Sequence, residues 1–329
     1  MNHQAKSKRE QMNADFHAKT GAPFSHFYCP ILFRDEDVPL CKAHIVNKAF
    51  PDSERSWTVQ REDVDNFFGA VFEGDFVGIQ YRDRGWSPDD CIADPGLKSR
   101  FRPTIQVEGT PVDYNVATGP VPAEFTNIVL TTRVGDVRLT LKMRPDDVAA
   151  HADSNWQITV EKDLRLQSLV SVLKSAHLTL FEMLGYSYGL SLGGHFLGHE
   201  VLGKFFLQNR DQSKSEALAL ARSHFAEFKN MVRPVTDTSF QGTATDNRLC
   251  VCPASGWKFW AFIVFVRTSR LVHAVLAPIM ETPEASHRFL KFLKGDGGTI
   301  EAKVCEFKND EFLVRPDSML LSWPTVDLL

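Results

Sequence analysis

Between residues 29 and 75 the chain concentrates side chains able to hold a metal ion or move a proton: Cys29, Cys41, His44, Glu62, Asp65, Asn66, Glu73 and Asp75. His44 lies in the apolar run Cys41-Lys42-Ala43-His44-Ile45-Val46, and Asp65-Asn66 opens the aromatic-rich stretch Phe67-Phe68-Gly69-Ala70-Val71-Phe72-Glu73. An imidazole titrates near neutral pH and is suited to general-base work. Carboxylates are hard ligands for magnesium or manganese, whereas thiolates with an imidazole suit zinc. A tetrahedral zinc in this region draws on Cys29, Cys41, His44 and a carboxylate, a mixed set. Taken by itself, His44 is equally a strand histidine hydrogen-bonded to neighbouring backbone.

A second group, His195-Phe196-Leu197-Gly198-His199-Glu200, puts two histidines at i and i+4, which on a helix face one metal. The metalloprotease pattern needs Glu directly after the first histidine, and Phe196 stands there. Glycines at 193, 194, 198 and 203 lower helix propensity and point instead to close helix packing. Cys250 and Cys252 share one face of a strand and belong to a core. Residues 294–299, Lys-Gly-Asp-Gly-Gly-Thr, lack the Gly-Lys-Ser/Thr ending of a phosphate cradle. Lys98, Arg100, Phe101 and Arg102 form a basic cluster that suits phosphate contact or a solvated linker.

The elements that must position these groups follow from pattern. The chain has 329 residues, 43% apolar and 24% charged, enough for two domains. A net charge of -4 leaves no global basic field to gather a polyanion, so nucleic-acid binding needs a local patch. The longest strongly apolar run, at residues 259–266, is too short to span a bilayer, and the start of the chain lacks a signal-peptide core. A cytoplasmic protein with reduced thiols is the expectation, since six cysteines show no repeating framework.

Residues 1–20 are polar and read as a flexible tail ending at Gly21-Ala22-Pro23. A small module spans 21–97, with a strand around His44 and a helix from about 62 to 76 carrying Val64, Phe67, Phe68, Val71 and Phe72. An α+β domain spans 98–329: strands over 103–160, helices over 161–232, strands over 233–329. Alternation at 127–134 and 136–143 predicts a hairpin turning at Gly135, and 257–266 with 271–276 predicts another. The apolar series from Leu164 to Leu184 predicts a helix stopping at Gly185. That helix is expected to cover a single sheet built from the first hairpin and the strands after 248.

The run Leu40-Cys41-Lys42-Ala43-His44-Ile45-Val46, with Lys48-Ala49-Phe50 after it, resembles the histidine strand of bacterial HNH-type endonucleases, and Asp65-Asn66 with Glu73 resembles the helix that follows. The resemblance covers about fifty residues and implies a ββα-metal, treble-clef-like N-terminal module ahead of the larger domain. It implies phosphodiester hydrolysis of DNA or RNA, with His44 as general base, Asn66 as the residue that orients it, and a divalent ion on Glu73 or Asp75. Cys29, Cys41 and Asp65 remain candidates for the separate, mixed zinc set. Such modules occur in mobile-element and defence settings. Departures from the pattern are specific: Ala43 stands where active members carry an acid, Asn47 where they carry proline, and Glu62 and Asp65 where a second Cys pair belongs. The alternative the departures leave open is a catalytically inactive docking protein with a protein partner.

Overall fold

The structure is a computed structural model that describes residues 3–48, 56–74, 76, 104–107, 110–111, 129–134, 137–142, 156–159, 164–235, 249–253, 260–267, 272–279, 282–293, 297–308 and 311–324. The basic cluster at residues 98–102 and Asp75 lie outside the described residues. In chain order come α1 (His3–Thr20), β1 (Leu40–His44), β2 (Trp57–Arg61) and α2 (Glu62–Phe68), which continues as a π-helix over Gly69–Glu73. Then follow β3 (Thr104–Val107), β4 (Thr110–Pro111), β5 (Val129–Val134), β6 (Val137–Lys142) and β7 (Trp156–Thr159). The helical stretch comprises α3 (Leu164–Gly189), α4 (Leu192–His195), a second π-helix (Phe196–Gly203), α5 (Lys204–Asn209) and α6 (Lys214–Ala226). After it come β8 (Val232–Val235), β9 (Leu249–Pro253), β10 (Trp260–Arg267), β11 (Val272–Ile279), α7 (Pro283–Leu293), β12 (Gly297–Lys308) and β13 (Glu311–Pro324).

The class is mixed α+β, with antiparallel pairing throughout the described sheets. The C-terminal strands form one six-stranded sheet in the order β13-β12-β9-β10-β11-β8. Both expected hairpins form, β5 with β6 and β10 with β11. The single-sheet expectation is corrected: β5 and β6 make a two-stranded sheet of their own. The alternation at 127–143 specifies a hairpin, but local pattern carries no information about which distant edge it joins. Compact units also divide differently from the sequence boundaries. One unit joins Met1–Glu73 to Arg165–Leu329, and the other is Gly74–Leu164, inserted between them.

The N-terminal stretch is not a flexible tail but the helix α1, tied down along its length. Lys8 pairs with Glu182 at 3.1 Å, and Asp15 accepts from the Tyr186 amide at 2.6 Å. Phe16 stacks among Phe24, Tyr28 and Tyr186, with ring centroids 4.7 to 5.7 Å apart. The polar composition concealed this because α1 buries only Ala5 and Met12 on the core side.

Helix α3 is the spine of its unit. Every residue from Leu169 to Phe181 is buried, so the helix is enclosed on all sides and does not cap a sheet with one stripe. Two of its buried hydroxyls are bonded within the protein: Ser175 Oγ donates to Ile45 O at 2.7 Å, and Thr179 Oγ1 to Ser175 O at 2.7 Å. The helix breaks at Gly185, whose φ of 57° suits glycine and whose missing Cβ leaves room for the Asp15 carboxylate.

The second π-helix lies against the turn at residues 29–33 at backbone distance. A Cβ on Gly198 would sit 2.6 Å from Pro30 O and 2.7 Å from the His177 ring, and one on Gly203 would sit 2.5 Å from Ile31 O. Gly198→Ala is therefore expected to cost about 1–3 kcal/mol through overpacking. Urea denaturation of the variant measures it, and an unchanged midpoint would mean the turn yields freely.

Candidate functional site

Strand β1 runs antiparallel to β2, with Cys41 opposite Gln60, Ala43 opposite Thr58 and His44 opposite Trp57. Alternation then sorts the side chains. Cys41 and Ala43 share a face with Gln60 and Thr58, while Lys42 and His44 share the other with Trp57, whose ring lies 4.8 Å from the Lys42 ammonium. The Cys41 thiol donates to Asp65 Oδ2 at 3.8 Å, so α2 packs on the Cys41 face. His44, half-buried, takes its place on the Trp57 side.

What converges on the α2 side is a buried lysine. Lys174, in the middle of α3, is 1% exposed and donates to Asp65 Oδ1 at 2.8 Å and to Glu73 Oε1 at 2.6 Å. Asn47 closes the group by donating from Nδ2 to Glu73 Oε2 at 3.1 Å. The Phe68 ring stands 5.9 Å from the ammonium. Burial opposes the Lys174 charge, but Glu73 and Asp65 outweigh it and hold its pKa above the ordinary lysine value. The π-turn at residues 69–73 helps to aim Glu73. Its wider coil follows α2 directly, and Asp65 and Glu73 meet one ammonium from eight positions apart, two turns on.

The thiols are held as thiols. Burial, then the Asp65 charge, pushes Cys41 up to about 12. Burial alone dominates at Cys29, also pushed up to about 12, where the thiol donates to Gln60 Oε1 at 3.2 Å and accepts from the Leu32 amide at 3.4 Å. Ala43, where the resemblance implies an acid, is wholly buried, and a carboxylate there would be desolvated. Asn66 is exposed on α2, whereas the chain's amide toward Glu73 comes from Asn47.

Of the residues marked in the sequence, the structure thus brings Cys41, Asp65 and Glu73 together, leaves Asn66 on the surface, and binds the Cys29 thiol to the Gln60 side chain. A divalent ion on Asp65 and Glu73 does not fit them as they stand, because an ammonium already bridges both carboxylates. Lys174 is not among the site residues expected from the sequence, although a lysine inside the series Leu169, Val170, Leu173, Ala176 and Leu180 is a charge on a buried face and gives the available signal. Among the described residues, the group whose ligand atoms gather within 4.8 Å of one another is His195, His199 and Glu200.

No helix among the described residues is long and apolar enough to cross a membrane. No protein-family model matches the chain, and no curated protein or solved structure does so either.

Proposed function

We propose that the turn at residues 29–33, the hairpin β1–β2 and α2 belong to a nuclease-derived, treble-clef-like module in which the Lys174 ammonium stands where a divalent ion would be, and that the module serves binding and not hydrolysis. One observation carries this reading: Lys174, 1% exposed, bridges Asp65, a candidate metal ligand, and Glu73, a carboxylate the resemblance assigns to the divalent ion. A turn at residues 29–33, the hairpin β1–β2 and then α2 follow in the order that the treble-clef comparison implies. The side of β1 occupied by His44 supports the same reading, as do two protonated thiols and an exposed Asn66. A fixed ammonium neutralises the pair without the open coordination positions that polarise a phosphate.

The direct test is a nicking assay on plasmid DNA and on structured RNA with magnesium or manganese. The expected result is no cleavage that chelator abolishes, and a His44→Ala variant that melts within a few degrees of wild type. Divalent-dependent cleavage lost in His44→Ala would overturn the docking reading and establish the hydrolase.

A further inference from the structure

We propose that His195, His199 and Glu200 form a binding site for a first-row transition-metal ion, zinc being the ion we would try first. The three side chains offer ligand atoms within 4.8 Å of one another. The imidazole rings lie 5.0 Å apart by centroid, at the junction of α4 and the second π-helix. Two imidazoles with one carboxylate favour zinc, iron, cobalt, nickel or copper over magnesium or calcium, which prefer all-oxygen shells. All three residues are half-buried, so water or a further ligand can complete the shell.

One observation points to something missing at this place. His199 Nδ1 is sealed from solvent and has no hydrogen-bond partner among the described residues. With its lone pair there, that nitrogen is an acceptor without a donor, a state that costs about 1–3 kcal/mol and that coordination relieves. Beside it, the Phe33 ring makes T-shaped contacts with both imidazoles, its centroid 4.8 Å from that of His195 and 6.0 Å from that of His199. Phe33 holds a φ of 56°, a left-handed conformation that a bulky residue adopts only when its surroundings enforce it. Its amide is fixed by a 2.8 Å bond to Cys29 O. The strained turn therefore walls one side of the histidine pair, while the π-helix gives the other.

Glu200 is shared. Lys204, four residues on, pairs with its Oε2, so an incoming ion competes with one ammonium for one carboxylate. The π-geometry is part of the site: the Lys204 amide bonds to His199 O across five residues, and unusual helical turns of this kind are enriched where function places side chains. This site is separate from the Lys174 cluster and does not depend on the docking reading.

The test uses the full chain, stripped with chelator and titrated with zinc against a chromophoric competitor and with cobalt by visible absorption. One equivalent should bind, with cobalt d–d bands in the visible. His195→Ala and His199→Ala should each weaken zinc binding by about 100-fold or more, beyond the range seen for outer-shell partners. Glu200→Gln, nearly isosteric, should weaken it at least about tenfold and covers the case in which a histidine variant misfolds. Asp65→Asn should leave it unchanged, and Lys204→Ala should leave it equal or tighter. No saturable binding by the wild-type chain overturns the site. Unchanged affinity in folded Glu200→Gln, or binding lost in Asp65→Asn and kept in the histidine variants, does so as well, and the last result would also count against the lysine-filled cluster.

Discussion

Lys174→Met is expected to lower the stability of its unit by about 3–5 kcal/mol, the usual cost of removing one partner from a buried ionic group. Methionine preserves the volume and the stem, so the loss reports the charge. Asp65 and Glu73 retain 26% and 14% exposure, and water can reach them in part, which places the expectation toward the lower end. A urea titration followed by far-UV circular dichroism measures it. Adding Glu73→Gln and Asp65→Asn to Lys174→Met should recover much of the loss, because the unpaired negative charges are then gone. The single variant also creates a vacancy between two carboxylates, and magnesium, which prefers all-oxygen shells, should raise its midpoint while leaving wild type unmoved. A Lys174→Met protein as stable as wild type would show that the ammonium is dispensable and would remove the main support for the docking reading.

The second large effect is expected in acid. His177 is buried between Tyr188, whose hydroxyl lies 3.1 Å from Nδ1, and Pro30 O, 3.2 Å from Nε2, and burial pushes its pKa down to about 4. His273, buried in β11, is pushed down to about 4 by the same cause. An unfolded histidine titrates near 6.5, so between about pH 6.5 and 4 the unfolded chain takes up protons that the folded chain refuses. These groups therefore contribute stability that is complete above pH 6.5 and is lost as pH falls toward 4, at about 3 kcal/mol for each fully titrated histidine. Urea midpoints at pH 7, 6, 5 and 4.5 should decline, and His177→Gln should flatten the decline whatever it does to the midpoint at pH 7. A parallel slope in that variant would mean that His177 is not one of the refusing groups.

Much of the local structure was legible. Alternation at 127–143 and the paired apolar runs at 257–276 disclose both hairpins, and glycine punctuation at 185 marks the break in α3. The glycines at 198 and 203 were read as packing positions, and each now faces a carbonyl of the turn beneath. Residues near one another in sequence disclose this much because their periodicity is set by the element they form. What was not legible is what distance in sequence hides. Nothing in residues 1–20 reveals that Asp15 will meet Tyr186, since an amphipathic stripe of two buried residues is too faint to separate from a tail. The carboxylates of α2 were visible as candidate ligands, but their partner lies across an inserted unit, and the choice between an ion and a lysine is made there.

That separation sets an order of events during synthesis. Glu73 precedes Lys174 by 101 residues, and the whole of Gly74–Leu164 is made in between. At about 5–20 residues per second the ribosome spends roughly 5–20 s before the ammonium exists at all. Through that interval the nascent N-terminal segment carries two acidic groups with no counter-charge from α3 and no spine to pack against. It can close only after the inserted unit has emerged, so maturation of the first seventy residues is timed by the arrival of the helix that follows.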